Sequence, residues 1–222
     1  MVAIWKMRQD CCPPMAEKQA STVDAAGALQ ALLLGCAADP EDAATLAVAG
    51  VLASAFSRFG LHVLPIPGLD ARQTRRLMRY WLNDADQILG LDWPSLTWME
   101  RQEPRADEIE DIAALLLEAA DAQRDADAAR WLAQIIAAAC LGDDHLWQDL
   151  RLRSRADLSL LLHGWFPALA ARNVNNMKWK KFFYKQLCER AELHICKSPS
   201  CAACSDYSLC FGPEEAGPIR VA

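Results

Sequence analysis

The chain has 222 residues, of which 53% are hydrophobic and 23% charged, which gives it enough apolar surface to bury a sizeable core. The formal net charge of −6 argues against general binding to nucleic acid. No apolar run approaches the ~20 residues of a membrane-spanning helix, and residues 1–10 lack the apolar core of a signal peptide. Nine cysteines suit a reducing compartment when they are free or metal-bound, so we expect a cytoplasmic protein with no membrane partner.

Residues 1–20 are expected to form a flexible N-terminal arm, and from Ser21 onward apolar residues recur at helical spacing. Ser21 with Asp24 predicts one helix start, and Asp39-Pro40-Glu41 predicts another, which Gly60 should end. The later predicted helices cover Ala71–Leu89 after a cap at Asp70, Arg105–Ala120, Asp125–Cys140, Leu158–Leu162 after a cap at Ser154, and Asn176–Ala191. No alternating strand pattern or internal repeat is present, so the sequence predicts an all-α fold.

Four arginines form a basic stripe along the third predicted helix. Arg72, Arg75, Arg76 and Arg79 are spaced i, i+3, i+4 and i+7, which places them on one helical face. Helical spacing alone often produces such stripes, so a solvated face is the favoured interpretation and a docking surface or anion site is the alternative. Acidic pairs such as Glu108 with Glu110 are expected at helix starts or on exposed faces, where they are not catalytic.

The densest chemical signal is a C-terminal array of four cysteines. Cys196, Cys201, Cys204 and Cys210 have the spacing C-x4-C-x2-C-x5-C, whereas the other five cysteines are spread over nearly two hundred residues. Neighbouring thiolates repel one another unless a cation is shared among them. Structural zinc sites usually place a long insert between two short cysteine pairs, so this compact run favours an iron–sulfur cluster over zinc, and disulfides are the weakest interpretation.

The charge is unevenly distributed around this array. Residues 1–171 carry 15 basic and 24 acidic side chains, a balance of −9, whereas residues 172–197 carry seven basic and two acidic, a balance of +5. Lysines on the last predicted helix would stabilise an anionic cluster and raise its reduction potential. Alternatively, they would simply form a solvated face. The same helix has an apolar face of Trp179, Phe182, Phe183 and Leu187.

Three further side chains are open candidates for a metal ligand. His145 lies in a polar turn, His194 lies two residues before the array, and Cys188 lies near the end of the last predicted helix. A lone histidine is more often structural than a ligand. The expected organisation is therefore an arm over 1–20, a helical domain over 21–195, a cluster-binding loop over 196–215 and a tail over 216–222.

The C-terminal third resembles the NifQ family. The resemblance is carried by residues 145–150 (HLWQDL), residues 166–173 (FPALAARN), residues 177–184 (MKWKKFFY), the cysteine array and residues 211–215 (FGPEE). It is close over about Leu141 to Glu215 and diffuse before that.

The resemblance implies an iron–sulfur protein that supplies molybdenum for the nitrogenase iron–molybdenum cofactor, with the NifEN scaffold and NifH as partners. The cluster, of Mo-Fe-S or 4Fe-4S type, would be held by Cys196, Cys201, Cys204 and Cys210, and the protein would not be an enzyme. We hypothesise that three thiolates hold iron while a weaker ligand holds molybdenum. The alternatives are an iron–sulfur enzyme similar to the helical DNA glycosylases, whose first cysteine gap is longer, and a zinc-stapled interaction module.

Overall fold

A computed structural model describes residues 24–97, 105–192 and 207–214. Helices make up the regular structure of these ranges, and a single isolated bridge between Val63 and Thr97 is the only β pairing in them. The α-helices are α1 Ala25–Gly35, α2 Ala43–Phe59, α3 Ala71–Leu82, α4 Ala85–Ile88, α5 Ala106–Leu117, α6 Ala126–Ala139, α7 Leu146–Asp149, α8 Arg155–Trp165, α9 Pro167–Ala170, α10 Trp179–Arg190 and α11 Tyr207–Phe211. The predicted all-α class is confirmed over the described ranges.

Side-chain caps begin most of the long helices, as the sequence predicts. Asp70 accepts a hydrogen bond from the Gln73 amide at 2.7 Å, and Ser154 accepts one from the Asp157 amide at 3.2 Å. The start predicted at Asp39-Pro40-Glu41 is three residues too early, because Asp42 is the residue whose carboxylate accepts from the Thr45 amide, at 2.9 Å. Gly60 ends α2 with a φ of 84°, a left-handed conformation that glycine adopts without strain.

The helix predicted over Ala71–Leu89 is wrong in its second half. It ends at Leu82, because Asn83 adopts a φ of 47° and its side-chain amide donates to the Cys36 carbonyl at 2.6 Å. Asparagine tolerates this conformation better than most residues, so a contact with the end of α1 can redirect the chain into the short helix α4.

The last predicted helix starts three residues later than expected. The Asn173 side chain accepts from the Met177 amide at 2.8 Å and donates to the Met177 carbonyl at 2.9 Å. Asn176 has a φ of 54°, which is incompatible with a right-handed helix. Helix α10 therefore begins at Trp179, after a turn that Asn173 closes.

The helices share one hydrophobic core that runs from α1 to α10. Helix α2 is buried along most of its length and contacts α1, α3, α6 and α8, while α5 pairs with α6 and α10 packs against α5. Gly50 on α2 permits close approach of the chain after α7, since a Cβ there would lie 2.5 Å from the Leu150 carbonyl oxygen. None of the described helices is long and apolar enough to cross a membrane.

Replacing Phe183 with alanine should lower the free energy of unfolding by about 3–5 kcal/mol, because this fully buried ring of α10 would leave a cavity. Urea denaturation followed by circular dichroism measures the loss. Leu160→Ala is the control, since this side chain is 68% exposed and its truncation should change the free energy of unfolding by less than about 0.5 kcal/mol. Equal losses in the two variants would contradict the packing described for α10.

Candidate metal centre

One of the four predicted cluster ligands, Cys210, lies in the described part of the chain. Cys196, Cys201 and Cys204 lie outside the described residues, as does His194. Within residues 24–97, 105–192 and 207–214, no three side chains of histidine, cysteine, aspartate or glutamate form a group that could hold a metal ion. The site is therefore built from Cys210 and the elements that hold it.

Residues 207–214, which we call the C-terminal strap, are bound to the beginning of α10. The Cys210 carbonyl accepts a hydrogen bond from the Lys178 amide at 2.8 Å, and the Lys178 ammonium donates to the Ser208 carbonyl at 3.3 Å. Cys210 and Phe211 pack against the hydrophobic core. The strap thus places a half-buried thiol next to the N-terminal end of a long helix.

The far end of the strap is held by an arginine of α8. The Arg155 guanidinium lies 3.5 Å from the Glu214 carboxylate, whose side chain is 4% exposed. The same guanidinium donates to the Asn176 carbonyl at 3.0 Å and to the Met177 carbonyl at 2.9 Å. Arg155 therefore joins the strap to the turn before α10, and both segments that meet at Cys210 have one common anchor.

Location at this end of α10 suits an anionic ligand set. The first amide groups of a helix have no partner within the helix, and their dipoles create a positive potential. Such a potential favours an anionic group placed near it. The Cys210 carbonyl lies at this end of α10, where it accepts from the Lys178 amide.

Helix α10 is held to the body by the apolar face predicted from the sequence. Trp179, Phe182 and Phe183 are buried, and their rings contact one another in tilted or edge-on arrangements. Leu187, which was predicted on the same face, is only partly buried. This face fixes the axis of the helix from which Cys210 is positioned.

The lysines of α10 do not act as one basic group. Lys180 forms an ion pair with Asp149, donates to the Gly142 carbonyl at 2.8 Å and is 17% exposed. Lys185 lies 3.5 Å from Glu189 on an exposed surface. Lys180 and Lys185 thus each have a carboxylate partner, and the Lys178 ammonium contacts the strap, while stabilisation of a cluster by the lysines stays a prediction.

The Asp149 carboxylate is largely buried from solvent although it is paired with Lys180. Burial raises the pKa of this carboxyl group, while the Lys180 ammonium opposes that effect. Gly142 makes the contact possible, because a Cβ at that position would lie 2.5 Å from the Asp149 carboxyl carbon. The turn between α6 and α7 is thereby tied to the first turn of α10.

A second polar cluster lies between α5 and α10. Glu108 accepts two hydrogen bonds from Arg105, at 2.8 and 2.9 Å, and one from the Tyr184 hydroxyl at 3.2 Å. Glu108 lies in the first turn of α5, as predicted for an acidic residue at a helix start, and it is buried there. Burial raises the pKa of Tyr184 above its ordinary value and raises the pKa of Cys140 to about 12, which keeps Cys140 a neutral, buried thiol, as its apolar helical position predicts.

The structure separates two of the open candidate ligands. Cys188 lies ten residues after Lys178, which is about 15 Å along the axis of α10 from the end that contacts Cys210. His145 precedes the four-residue helix α7, and Asp149 at the other end of α7 pairs with Lys180 in the first turn of α10. The helix that His145 precedes is therefore tied to the first turn of α10, whereas Cys188 lies toward the other end of α10.

Comparisons with known proteins show the family to which the chain belongs. The NifQ family model matches residues 47–212, which cover most of α2 and every described element from α3 to α11. The chain belongs to the NifQ family. The resemblance stated from the sequence is thus confirmed, and the family functions in the context of nitrogenase cofactor biosynthesis.

Individual relatives show how far the similarity extends. The chain is 45% identical to the Azotobacter vinelandii protein NifQ over 168 residues, which are 71% of this chain and 83% of that protein. It is 54% identical to the Klebsiella pneumoniae protein NifQ over 82 residues and 49% identical to that of Rhodobacter capsulatus over 86 residues, and each match covers 48% of the relative. No solved structure matches the chain.

Sequence reasoning missed two ion pairs that involve the blocks of the resemblance. Asp149 in the first block pairs with Lys180 in the third, and Glu214 in the last block pairs with Arg155, which lies outside the blocks. Local spacing could not reveal these pairs, because the paired residues are 31 and 59 positions apart.

Replacing Lys180 with glutamine should destabilise the protein by about 2–4 kcal/mol at pH 8, because it leaves the Asp149 carboxylate buried without its cation. Without the cation, the pKa of Asp149 in the folded variant rises further. At low pH Asp149 is protonated and the variant keeps its stability, which it loses as the pH increases through this raised pKa. Urea denaturation at several pH values should show a deficit that shrinks toward acid. Lys185→Gln, at an exposed pair, is the control; a deficit independent of pH would refute this account.

Replacing Arg155 with methionine should loosen the strap. Loss of its charge-assisted hydrogen bonds should speed hydrogen exchange of the Lys178 and Gly212 amides about tenfold or more. Mass spectrometry of exchanging peptides measures this change. Arg153→Met is the matched control, since Arg153 pairs with Glu41 and Asp157 at an exposed surface, and comparable acceleration in that variant would argue against the anchoring role.

Proposed function

We propose that this chain is a metallochaperone that holds an iron–sulfur cluster containing molybdenum and donates the molybdenum for assembly of the nitrogenase iron–molybdenum cofactor. The cluster is its cargo, and Cys196, Cys201, Cys204 and Cys210 are its ligands. The receiving partners are the NifEN scaffold and NifH, and the protein acts in the cytoplasm as a carrier without catalytic turnover. Family membership supports this proposal, as do the donor set and the environment of Cys210.

The observation that carries the proposal is the attachment of Cys210 to α10. Thiolates are the ligands of iron–sulfur clusters, and four of them fall within fifteen residues of this chain. The last one is held by a backbone hydrogen bond to Lys178, at a helix end whose potential favours anions. A rigid attachment point of this kind fixes one corner of a cluster relative to the body of the protein.

Chain length permits the other three cysteines to meet Cys210. Helix α10 has 12 residues and is about 18 Å long, and Cys210 is attached at its first turn. Cys196 follows Arg190 by six residues, which span up to about 20 Å when extended. A single cluster at the beginning of α10 is thus compatible with both attachment points.

Donation requires that molybdenum be held less firmly than iron. In the proposed arrangement three thiolates hold iron, and the molybdenum position has a weaker or exchangeable ligand. Among the described candidates we favour His145 for this role, because Cys188 is about 15 Å along α10 from the end that contacts Cys210. A neutral imidazole binds metal reversibly and is lost on protonation, which suits a position that must release its metal.

The test is the iron, molybdenum and zinc content of protein purified without oxygen from molybdate-fed cells, with electron paramagnetic resonance on the same samples. Wild type should contain iron and molybdenum together. Alanine variants of the three cysteines that hold iron should lose both metals. The alanine variant of the cysteine at the exchangeable position should retain iron and lose about tenfold or more of its molybdenum, and His145→Ala should do the same.

Cys36→Ala and Cys188→Ala are the controls and should keep both metals at wild-type levels. Equal loss of both metals in all four array variants would refute the exchangeable position. Iron without molybdenum would mean that the chain is a plain iron–sulfur protein. Zinc alone, with no paramagnetic signal, would overturn the assignment of an iron–sulfur cluster.

A further inference from the structure

The arginine stripe of α3 lines a cleft on the surface of the molecule. The cleft has a volume of about 450 Å³, and its walls include Arg72, Arg75, Arg76, Arg79, Trp93 and Pro94. The four arginines are exposed, as the sequence predicts for a solvated face. Their arrangement differs from that of an ordinary solvated face, because Arg75 and Arg76 are held in place by carboxylates of neighbouring helices.

Arg75 is oriented by a buried carboxylate. Its guanidinium lies 3.5 Å from Asp86, which is 3% exposed, and about 6.0 Å from the ring centre of Trp93. The Trp93 indole N–H donates to the same carboxylate at 3.0 Å. Asp86 therefore positions both the arginine and the aromatic wall of the cleft.

Arg76 is oriented in a similar way by α6. It lies 2.5 Å from Asp127 and its guanidinium is 5.3 Å from the ring centre of Trp131. Arg72 and Arg79 have no ion-pair partner among the described residues. The cleft thus presents four guanidinium groups against two carboxylates, which leaves a positive excess on a chain of net charge −6.

The composition of this surface indicates the chemistry of its ligand. All four basic positions are arginine, whereas the basic positions of α10 are mostly lysine. Guanidinium groups bind carboxylates through two parallel hydrogen bonds, and arginine with tryptophan is typical of the energetically important residues of protein interfaces. The stripe extends over seven residues, or about 10 Å, which matches about two turns of a helix or three residues of a strand.

We propose that the cleft between α3 and Trp93 is a docking surface for an acidic segment of another protein. Acidic side chains spaced over about two helical turns in that segment would pair with Arg72 and Arg79, while Arg75 and Arg76 are already oriented. A polypeptide is favoured over nucleic acid, because phosphate backbones require a larger excess of positive charge than this acidic chain offers. The surface is independent of the metal centre, and the proposal does not rest on the proposed function.

The experiment measures binding of a fluorescent poly-L-glutamate peptide to the full-length chain by anisotropy at low and moderate salt. Wild type should bind, and Arg72→Glu with Arg79→Glu should weaken binding about tenfold or more, since two attractions become repulsions. Arg58→Glu with Arg172→Glu makes the same charge change at exposed arginines elsewhere and should alter affinity less than about twofold. Circular dichroism checks that both double variants fold.

Three outcomes would overturn the proposal. Equal weakening by the two double variants would mean that only net charge matters. Displacement of the peptide by sulfate or molybdate at matched ionic strength, or equally tight binding of a single-stranded oligonucleotide through Arg72 and Arg79, would assign the cleft to a different ligand. A wild-type dimer that dissociates in Arg72→Glu with Arg79→Glu would mean that a second copy of the chain occupies the cleft.

Discussion

The hydrogen bond from the Lys178 amide to the Cys210 carbonyl is the contact on which the candidate metal centre depends. It joins Cys210, the last cysteine of the array, to the beginning of α10, so the residue predicted as a cluster ligand has a fixed position. A backbone bond suits this purpose, because it restrains the main chain of Cys210 through its carbonyl group and does not use the sulfur atom. Arg155 reinforces the arrangement by bonding to both segments at once.

Helix α10 can serve as this reference because two kinds of interaction fix it. Its aromatic face contributes burial, which is strong but indifferent to small rotations of the helix. The Lys180–Asp149 pair adds direction, since a partly buried ion pair loses most of its value when its geometry changes. Together they define both the depth and the rotation of the helix that positions Cys210.

The two basic regions of the molecule, on α10 and on α3, differ in the type of basic residue. Near the array the basic residues of α10 are chiefly lysines, and those with partners support local structure. On α3 the basic residues are arginines, oriented by Asp86, Asp127 and two tryptophans toward an open cleft. The first arrangement holds α10 in place, and the second leaves positive charge exposed at the cleft.

The sequence by itself determined the helical class, most helix caps and the arginine stripe, because each depends on residues within a few positions of one another. Only the tertiary structure decided that Lys180 is neutralised, that Glu108 is buried and that Cys188 lies far from Cys210 along α10. The break of a predicted helix at Asn83 likewise comes from a contact with Cys36, 47 residues away. These outcomes depend on the balance between burying a charge and pairing it with a distant residue, and local spacing carries no information about that balance.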